Sequence, residues 1–198
     1  MNRPLKKEFY HQPTLELAKA LLGCILVKKT PEGIASGMIV ETEAYMGPDD
    51  RAAHSFGNRR TKRTEVMFGE PGIAYTHTMH THCLINVVSG AVGKPEAILI
   101  RAVEPVDGQE LMAPRRPKAK NQFQWTNGPG KLTKALGITM ADYGHQLDKP
   151  PLQIMEGQLI DDAQIVAGPR IGIHNSGEAV HYPWRFSVKE NKFVSKKT

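Results

Sequence analysis

At 198 residues the chain is long enough to bury a core and short enough to favour one domain over 1–198. Apolar residues make up 40% and charged residues 23%, a balance that excludes a disordered or fibrous chain. Lys and Arg outnumber Asp and Glu by 26 to 20, which fits a polyanionic partner without choosing among polyanions, and two cysteines are too few for a disulfide framework or a cysteine-based zinc site.

The first segment, Met1 to Phe9, is basic but lacks an apolar run, and no stretch approaches the roughly 18 apolar residues of a membrane span. A soluble cytoplasmic chain with reduced thiols is expected. Leu15, Leu17, Ala18, Leu21 and Leu22 form an amphipathic helical run, with Thr14 as its expected N-cap and Gly23 past its end. Cys24 to Val27 reads as a strand, Pro31-Glu32-Gly33 as a turn, and Gly37 to Tyr45 as a second strand that Gly47-Pro48-Asp49-Asp50 breaks. A polar, basic segment runs on to Arg63. Strands are then expected over Ile73 to His80, Cys83 to Val88 and Ala97 to Val103, the last ended by Glu104-Pro105. A short helix over Asp107 to Met112, a basic loop over Pro114 to Lys120 and a helix beginning at Gly128-Pro129 and ending before Gly137 follow. Ile165-Val166, Arg170 to Ile173 and Arg185 to Val188 complete the strands. They show no regular strand-helix alternation. The expected class is therefore α+β with an antiparallel or mixed sheet.

Side chains alternate faces along a strand, so Glu41, Glu43 and Tyr45 are expected on one face and Val40, Thr42 and Ala44 on the other. A carboxylate beside a ring suits a general base next to a stacked heterocycle; a half-solvated strand carrying two idle glutamates gives the same pattern. His54 sits in a loop, where a histidine is as readily a hydrogen-bond partner as a catalyst. Asn58 to Thr64, with Arg63, could contact phosphates or simply be solvated. Tyr75 to Cys83 holds His77, His80, His82 and Cys83, but strand geometry turns His77 away from the other two histidines, and the zinc deaminase motif is missing. Arg101 interrupts the apolar run Ile98 to Val103, where a charge needs a partner: a structural ion pair or Glu43. Asn127-Gly128-Pro129-Gly130-Lys131 offers backbone N–H groups and a lysine at a helix start, either as a phosphate grip or as an ordinary capped helix.

These segments together resemble the alkyladenine (3-methyladenine) DNA glycosylase family of animals and bacteria. The matching stretches are Phe9-Tyr10, Ala18-Lys19-Ala20-Leu21-Leu22-Gly23 and Ile39-Val40-Glu41-Thr42-Glu43-Ala44-Tyr45-Met46-Gly47-Pro48-Asp49-Asp50 with Ala52-Ala53-His54-Ser55. Thr61-Lys62-Arg63, Met67-Phe68, Pro71-Gly72, Leu99 to Pro105, Asn127 to Leu132 and Pro169 to Ile173 follow in the same order. The resemblance implies one compact α+β domain around a curved, mainly antiparallel sheet with flanking helices, and a monofunctional glycosylase of base excision repair, a hydrolase acting on alkylated or deaminated purines in duplex DNA, with no cofactor and no metal. It implies Glu43 as the base that activates water and Arg101 as its positioning partner. Tyr45, His54, His77 and Asn86 would contact the flipped base, and His80, Arg63, Lys131 and Gly130 the DNA. His77 and His80 (or Met79) stand where relatives carry tyrosines, one stacking on the base and one filling the gap left by flipping. A monomer is expected, since one lesion needs no symmetric partner. A non-catalytic binder of damaged or structured nucleic acid is the rival from another class, and a zinc hydrolase built on the histidine cluster is the second.

Overall fold

A computed structural model describes residues 3–196, so Met1, Asn2, Lys197 and Thr198 of the expected 1–198 domain lie outside the described residues. Three α-helices are present among those residues: α1 (Thr14–Ala20), α2 (Gln109–Arg115) and α3 (Pro129–Leu136). The strands are β1 (Ile25–Thr30), β2 (Gly33–Tyr45), β3 (Ala74–Met79), β4 (His82–Ser89), β5 (Glu96–Asp107), β6 (Asp148–Lys149), β7 (Leu152–Met155), β8 (Ile165–Gly168) and β9 (Arg185–Val188). They form one sheet in the order β3-β4-β5-β2-β1-β7-β6, with β9 on the far half of β2 and β8 outside it. Every pairing between these strands is antiparallel, so the chain folds as the α+β class its strand spacing indicated.

The long strand β2 organises the sheet. Its first half pairs with β1 and its last residues with β9, while β5 runs along its other edge. Residues 41–43 are thus flanked by strands on both sides. One face of the sheet carries the helices. Leu17, Ala18 and Leu21 of α1, Met112 of α2 and Leu132, Ala135 and Leu136 of α3 pack on Ile39, Ile85, Val87, Ile98, Ile100 and Val103. Thr42 Oγ1 donates to Ala18 O at 2.8 Å and ties α1 to β2. The opposite face is left for the site. No described helix is long and apolar enough to cross a membrane.

Local sequence expectations fail where tertiary contacts override them. Thr14 is the first helical residue rather than a side-chain cap, because its hydroxyl reaches across to Ser89 and Glu96. Strand β5 continues through Pro105 to Asp107; a register shift beside Gly37, which lies opposite, accommodates the missing donor. Helix α2 therefore starts later than expected and takes Pro114 into its last turn, leaving residues 116–120 as the basic loop. Arg170 to Ile173 is a loop and not a strand, since Pro169 removes a donor and Gly172 adopts φ 81°.

The alternation along β2 is also interrupted. In the β2–β5 register Ile39 pairs with Val103 and Glu41 with Ala102, skipping Val40; Thr42 then pairs with Ile100, skipping Arg101. Two bulges lie side by side. Val40 consequently leaves the face of Thr42 and Ala44 and packs with Ala102 and Phe193 in a separate small cluster. The same irregularity places Glu41, Glu43 and Arg101 on the face away from the helices, within reach of one another.

Candidate active site

Strand parity and register build a row of side chains across that face. Tyr75 pairs with Asn86, Asn86 with Leu99, Leu99 with Glu43, and Glu43 with Arg185. Neighbouring strands lie about 4.8 Å apart, so the row is a continuous strip of side chains. His77 pairs with Leu84, and Tyr45 with Ala97, on either side of it. Over the row lies a cavity of about 420 Å³ lined by Tyr45, His54, Tyr75, His77, Asn86 and Arg101, with apolar patches from Met67, Leu84, Leu99 and Ile171.

Glu43 is fully buried. Its Oε1 accepts the Ile171 N–H at 2.7 Å, and its Oε2 accepts the Tyr45 hydroxyl at 2.9 Å and Arg101 Nη1 at 3.3 Å. Burial lifts its carboxyl above the ordinary range; the Arg101 cation and the two other donors pull it back, and neighbouring Glu41 pushes it up again. The arginine therefore opposes the shift without cancelling it. A carboxylate held this way is a stronger base than one in water.

Tyr45 is fixed from behind. The Arg170 guanidinium lies 4.8 Å from the Tyr45 ring centroid and 5.0 Å from that of Trp184. That cation is itself buried and paired with Asp50, to which its Nη2 donates at 2.8 Å, and its Nη1 donates to Ala44 O at 2.9 Å. Asp50 also accepts the backbone N–H groups of Met46 and Ala52, at 3.0 Å each, which closes the turn after β2.

The far wall is aromatic and neutral. His77 stacks on Tyr75, with ring centroids 5.3 Å apart and planes at 28°, and His54 meets the His77 ring edge-on at 4.6 Å. His54 Nδ1 shares a hydrogen bond of 2.8 Å with the Tyr75 hydroxyl. The Asn86 amide nitrogen donates to Tyr75 O at 3.0 Å and lies 3.2 Å from His77 Nδ1. A carbonyl only accepts, so the nitrogen of Asn86 must face it. His77 Nδ1 is then an acceptor, and the proton of the neutral ring sits on Nε2, which is buried without a partner. Burial, helped by the nearby Arg63 charge, pushes His54 down to about 4 and His77 down to about 3.

A sequence profile of the methylpurine-DNA glycosylases matches residues 8–192. The chain belongs to the methylpurine-DNA glycosylase family. It is 64% identical over 195 residues to a protein of Bacillus licheniformis, covering 98% of both chains, and 62% identical to one of Bacillus velezensis, covering 98% of this chain and 97% of that one. A Bacillus subtilis protein is 61% identical with the same coverage. All three carry the provisional name 3-methyladenine DNA glycosylase.

Of the residues singled out from the sequence of this family member, Tyr45, His54, His77, Asn86 and Arg101 line the cavity, and Glu43 lies just behind them, bonded to Tyr45, Arg101 and the Ile171 N–H. The others lie outside that lining. Arg63 is exposed in its loop, close enough for its charge to depress both histidines. His80 occupies the tip of the β3–β4 hairpin with φ 53°, exposed, next to Met79, which lines the cavity and is 45% exposed. The helix start offers fewer free donors than expected: Gly128 N–H is engaged by Thr126 O and Lys131 N–H by Gly128 O, while Lys131 Nζ donates to Asn127 Oδ1 at 2.8 Å. Gly130 packs against His82, where a Cβ would come within 2.7 Å. Among the described residues no three His, Cys, Asp or Glu side chains group as a metal site. Tyr75, Asp50, Arg170 and Ile171 were missed. Tyr75 was findable, since it lies two residues before His77 on the same strand face. The other three act through contacts more than a hundred residues apart in sequence, which no local pattern shows.

Proposed function

We propose that this chain is a monofunctional DNA glycosylase of base excision repair. It flips alkylated or deaminated purines (3-methyladenine, 7-methylguanine, hypoxanthine, ethenoadenine) out of duplex DNA and hydrolyses the N-glycosidic bond. The observation that carries the reading is Glu43: a buried carboxylate, raised above the usual range, held by Tyr45, Arg101 and the Ile171 N–H directly behind the lining of an aromatic-walled cavity. A base inside the duplex stack cannot present its sugar to such a group. Extrusion costs a few kcal/mol, and less for a damaged or mispaired base.

In this reading Tyr45, backed by Arg170, and His77, backed by Tyr75, form the two rigid faces of a slot for one purine. His54 closes its edge and Asn86 reads its substituents. The histidines are neutral at physiological pH, so a cationic alkylpurine meets π faces rather than like charge. As the bond to C1′ breaks, positive charge develops on the sugar. Ionised Glu43 stabilises it and takes a proton from the attacking water, which Arg101 helps to orient. No lysine lines the cavity among the described residues, which favours hydrolysis without strand cleavage. Arg63, Lys131 and Gly130 contact backbone phosphates around the lesion, and the His80–Met79 hairpin tip fills the gap in the stack.

The test is an end-labelled duplex carrying one hypoxanthine or ethenoadenine, incubated with wild type or Glu43→Gln and then treated with alkali. Wild type is expected to leave an alkali-labile site, and the variant to be slower by about 10²–10⁴-fold. Lesion DNA that is bound but never loses hypoxanthine, ethenoadenine or a methylated purine would mean a non-catalytic binder.

A further inference from the structure

The C-terminal segment packs beside the Glu43 row and engages three charged groups, Glu41, Arg101 and Arg185. Ser195 N–H donates to Glu41 Oε2 at 2.8 Å, and Arg101 Nη2 donates to Ser195 Oγ at 3.4 Å. Lys196 O accepts from Arg185 Nη1 at 3.1 Å. Phe193 plugs the cluster formed with Val40 and Ala102, the residues beside the two bulges. Beneath this segment Glu41 is completely buried and makes two ion pairs, with Arg185 Nη1 at 3.0 Å and with Arg101 Nε at 3.6 Å. Arg101 is thus stretched between two carboxylates, Glu41 on one side and Glu43 on the other.

A guanidinium is planar, and its direction is set by the anions at its edges. With Glu43 alone, Arg101 could close fully on the base it serves and form a tight bidentate pair. The Glu41 charge attracts the Nε edge at 3.6 Å without a hydrogen bond, and Glu43 receives the 3.3 Å contact from Nη1. Glu41 is fixed in turn by Arg185 and the Ser195 N–H, and both its partners are themselves held by Ser195 and Lys196. Resting on the glycosylase reading above, we propose that residues 193–196 form a clasp that completes the active site, and that Glu41 is a positioning residue which sets the distance of Arg101 from Glu43.

The groups that face Glu43 are Arg101 from β5, Glu41 and Tyr45 from β2, and the Ile171 N–H from the loop after β8. Arg185 from β9 faces Glu41, and Arg170 faces Tyr45. Removing the Glu41 charge leaves Arg101 undivided on Glu43 and also removes a repulsive carboxylate. Both changes make Glu43 easier to ionise and weaker as a base.

The experiment measures single-turnover release of hypoxanthine against pH, and lesion binding by titration, for the full chain, Glu41→Gln, Glu41→Asp and a chain ending at Lys192. Glu41→Gln is expected to bind lesion DNA within about twofold of wild type, to release base about tenfold more slowly, and to move its acid limb to lower pH. Glu41→Asp, which keeps the charge, is expected to restore the position of that limb. The shortened chain is expected to lose release more than binding. A limb in Glu41→Gln at the wild-type pH, with any loss of rate matched by a loss of folded protein, overturns the positioning role. A shortened chain with full release rate overturns the clasp. A wild type that releases no base fails the glycosylase reading itself, a different outcome from either.

Discussion

On one side of the cavity the polar groups carry charge: Glu41 and Glu43 against Arg101 and Arg185, all buried, with Glu41, Glu43 and Arg185 also bound to backbone groups and Arg101 to the Ser195 hydroxyl. On the other side they carry none: Tyr75, His77, His54 and Asn86 form a chain of neutral hydrogen bonds and ring contacts. Burial acts on both, but with different results. It raises the Glu43 carboxyl while the Arg101 cation limits the rise, and it depresses the two histidines, aided by Arg63 and Arg59 at His54 and by His54 and Arg63 at His77. The contrast matches the two tasks of the proposed reaction. Charge is needed where the sugar becomes cationic, and a neutral face is needed where a base, itself sometimes cationic, must be held.

The charged side is the more vulnerable, and Arg101→Leu strikes it hardest. The substitution leaves two buried carboxylates to a single arginine, and breaking a buried pair in this way costs about 3–5 kcal/mol. Melting temperature is expected to fall by several degrees. Base release at neutral pH is expected to drop by about two orders of magnitude, since Glu43 loses the cation that limits its upward shift. Arg101→Lys, with charge but without the fork, should recover stability better than rate. If the two recover together, the fork geometry has no role in the chemistry.

Asn86→Ala tests the neutral side with a smaller effect. Without the amide, His77 Nδ1 is no longer held as an acceptor, and the imidazole can put its proton on either nitrogen. The ratio of hypoxanthine to ethenoadenine release is expected to change severalfold if, as proposed, Asn86 reads the substituents of the base. The acid limb of the pH profile is expected to stay, because Glu43 sets it. A limb that moves would mean that the two walls titrate as one unit, and the comparison drawn above would fail.

How much of this was legible beforehand divides along the same line. The neutral wall is local: strand parity puts Tyr75 and His77 on one face of β3, and the adjoining strand brings Asn86 opposite. The sequence showed the helix at Pro129, the α+β class and most strands, because their periodicity and turn residues agree with the final packing. Where they disagree, the cause is distant. The bulges at Val40 and Arg101 depend on how β2 and β5 align, and they swing Val40 off the face that simple alternation gives it. The loop at Ile171 reads as apolar and β-like, yet its backbone N–H is held by Glu43, 128 residues away. Of the charged wall, the shared face of Glu41, Glu43 and Tyr45 and the Glu43 partner of Arg101 were among the sequence expectations, while the links to Arg185, Ile171 and Ser195 came from the fold.

The smallest expected effect lies in stability against pH. His54 and His77 titrate at about 4 and about 3 in the folded protein, below the ordinary histidine value of 6.5. Between pH 6.5 and those values the unfolded chain takes up protons that the folded chain refuses. The stability present above pH 6.5 is therefore lost progressively as pH falls toward 4 and below. Glu43 works in the opposite sense, because a raised carboxyl favours the folded state at low pH and loses that advantage as pH rises through its ordinary range. From pH 6.5 to 4.5 the histidines make stability decline, and Glu43, which takes up its proton earlier in the folded state than in the unfolded one, offsets part of that decline. His77→Phe keeps a ring of similar size on Tyr75 and removes the more strongly shifted histidine. Its melting temperature, followed from pH 7 to pH 4.5, is expected to fall less steeply than that of wild type. Equal slopes would mean that His77 takes up its proton in the folded protein as readily as in the unfolded one, and the neutral wall would not be neutral.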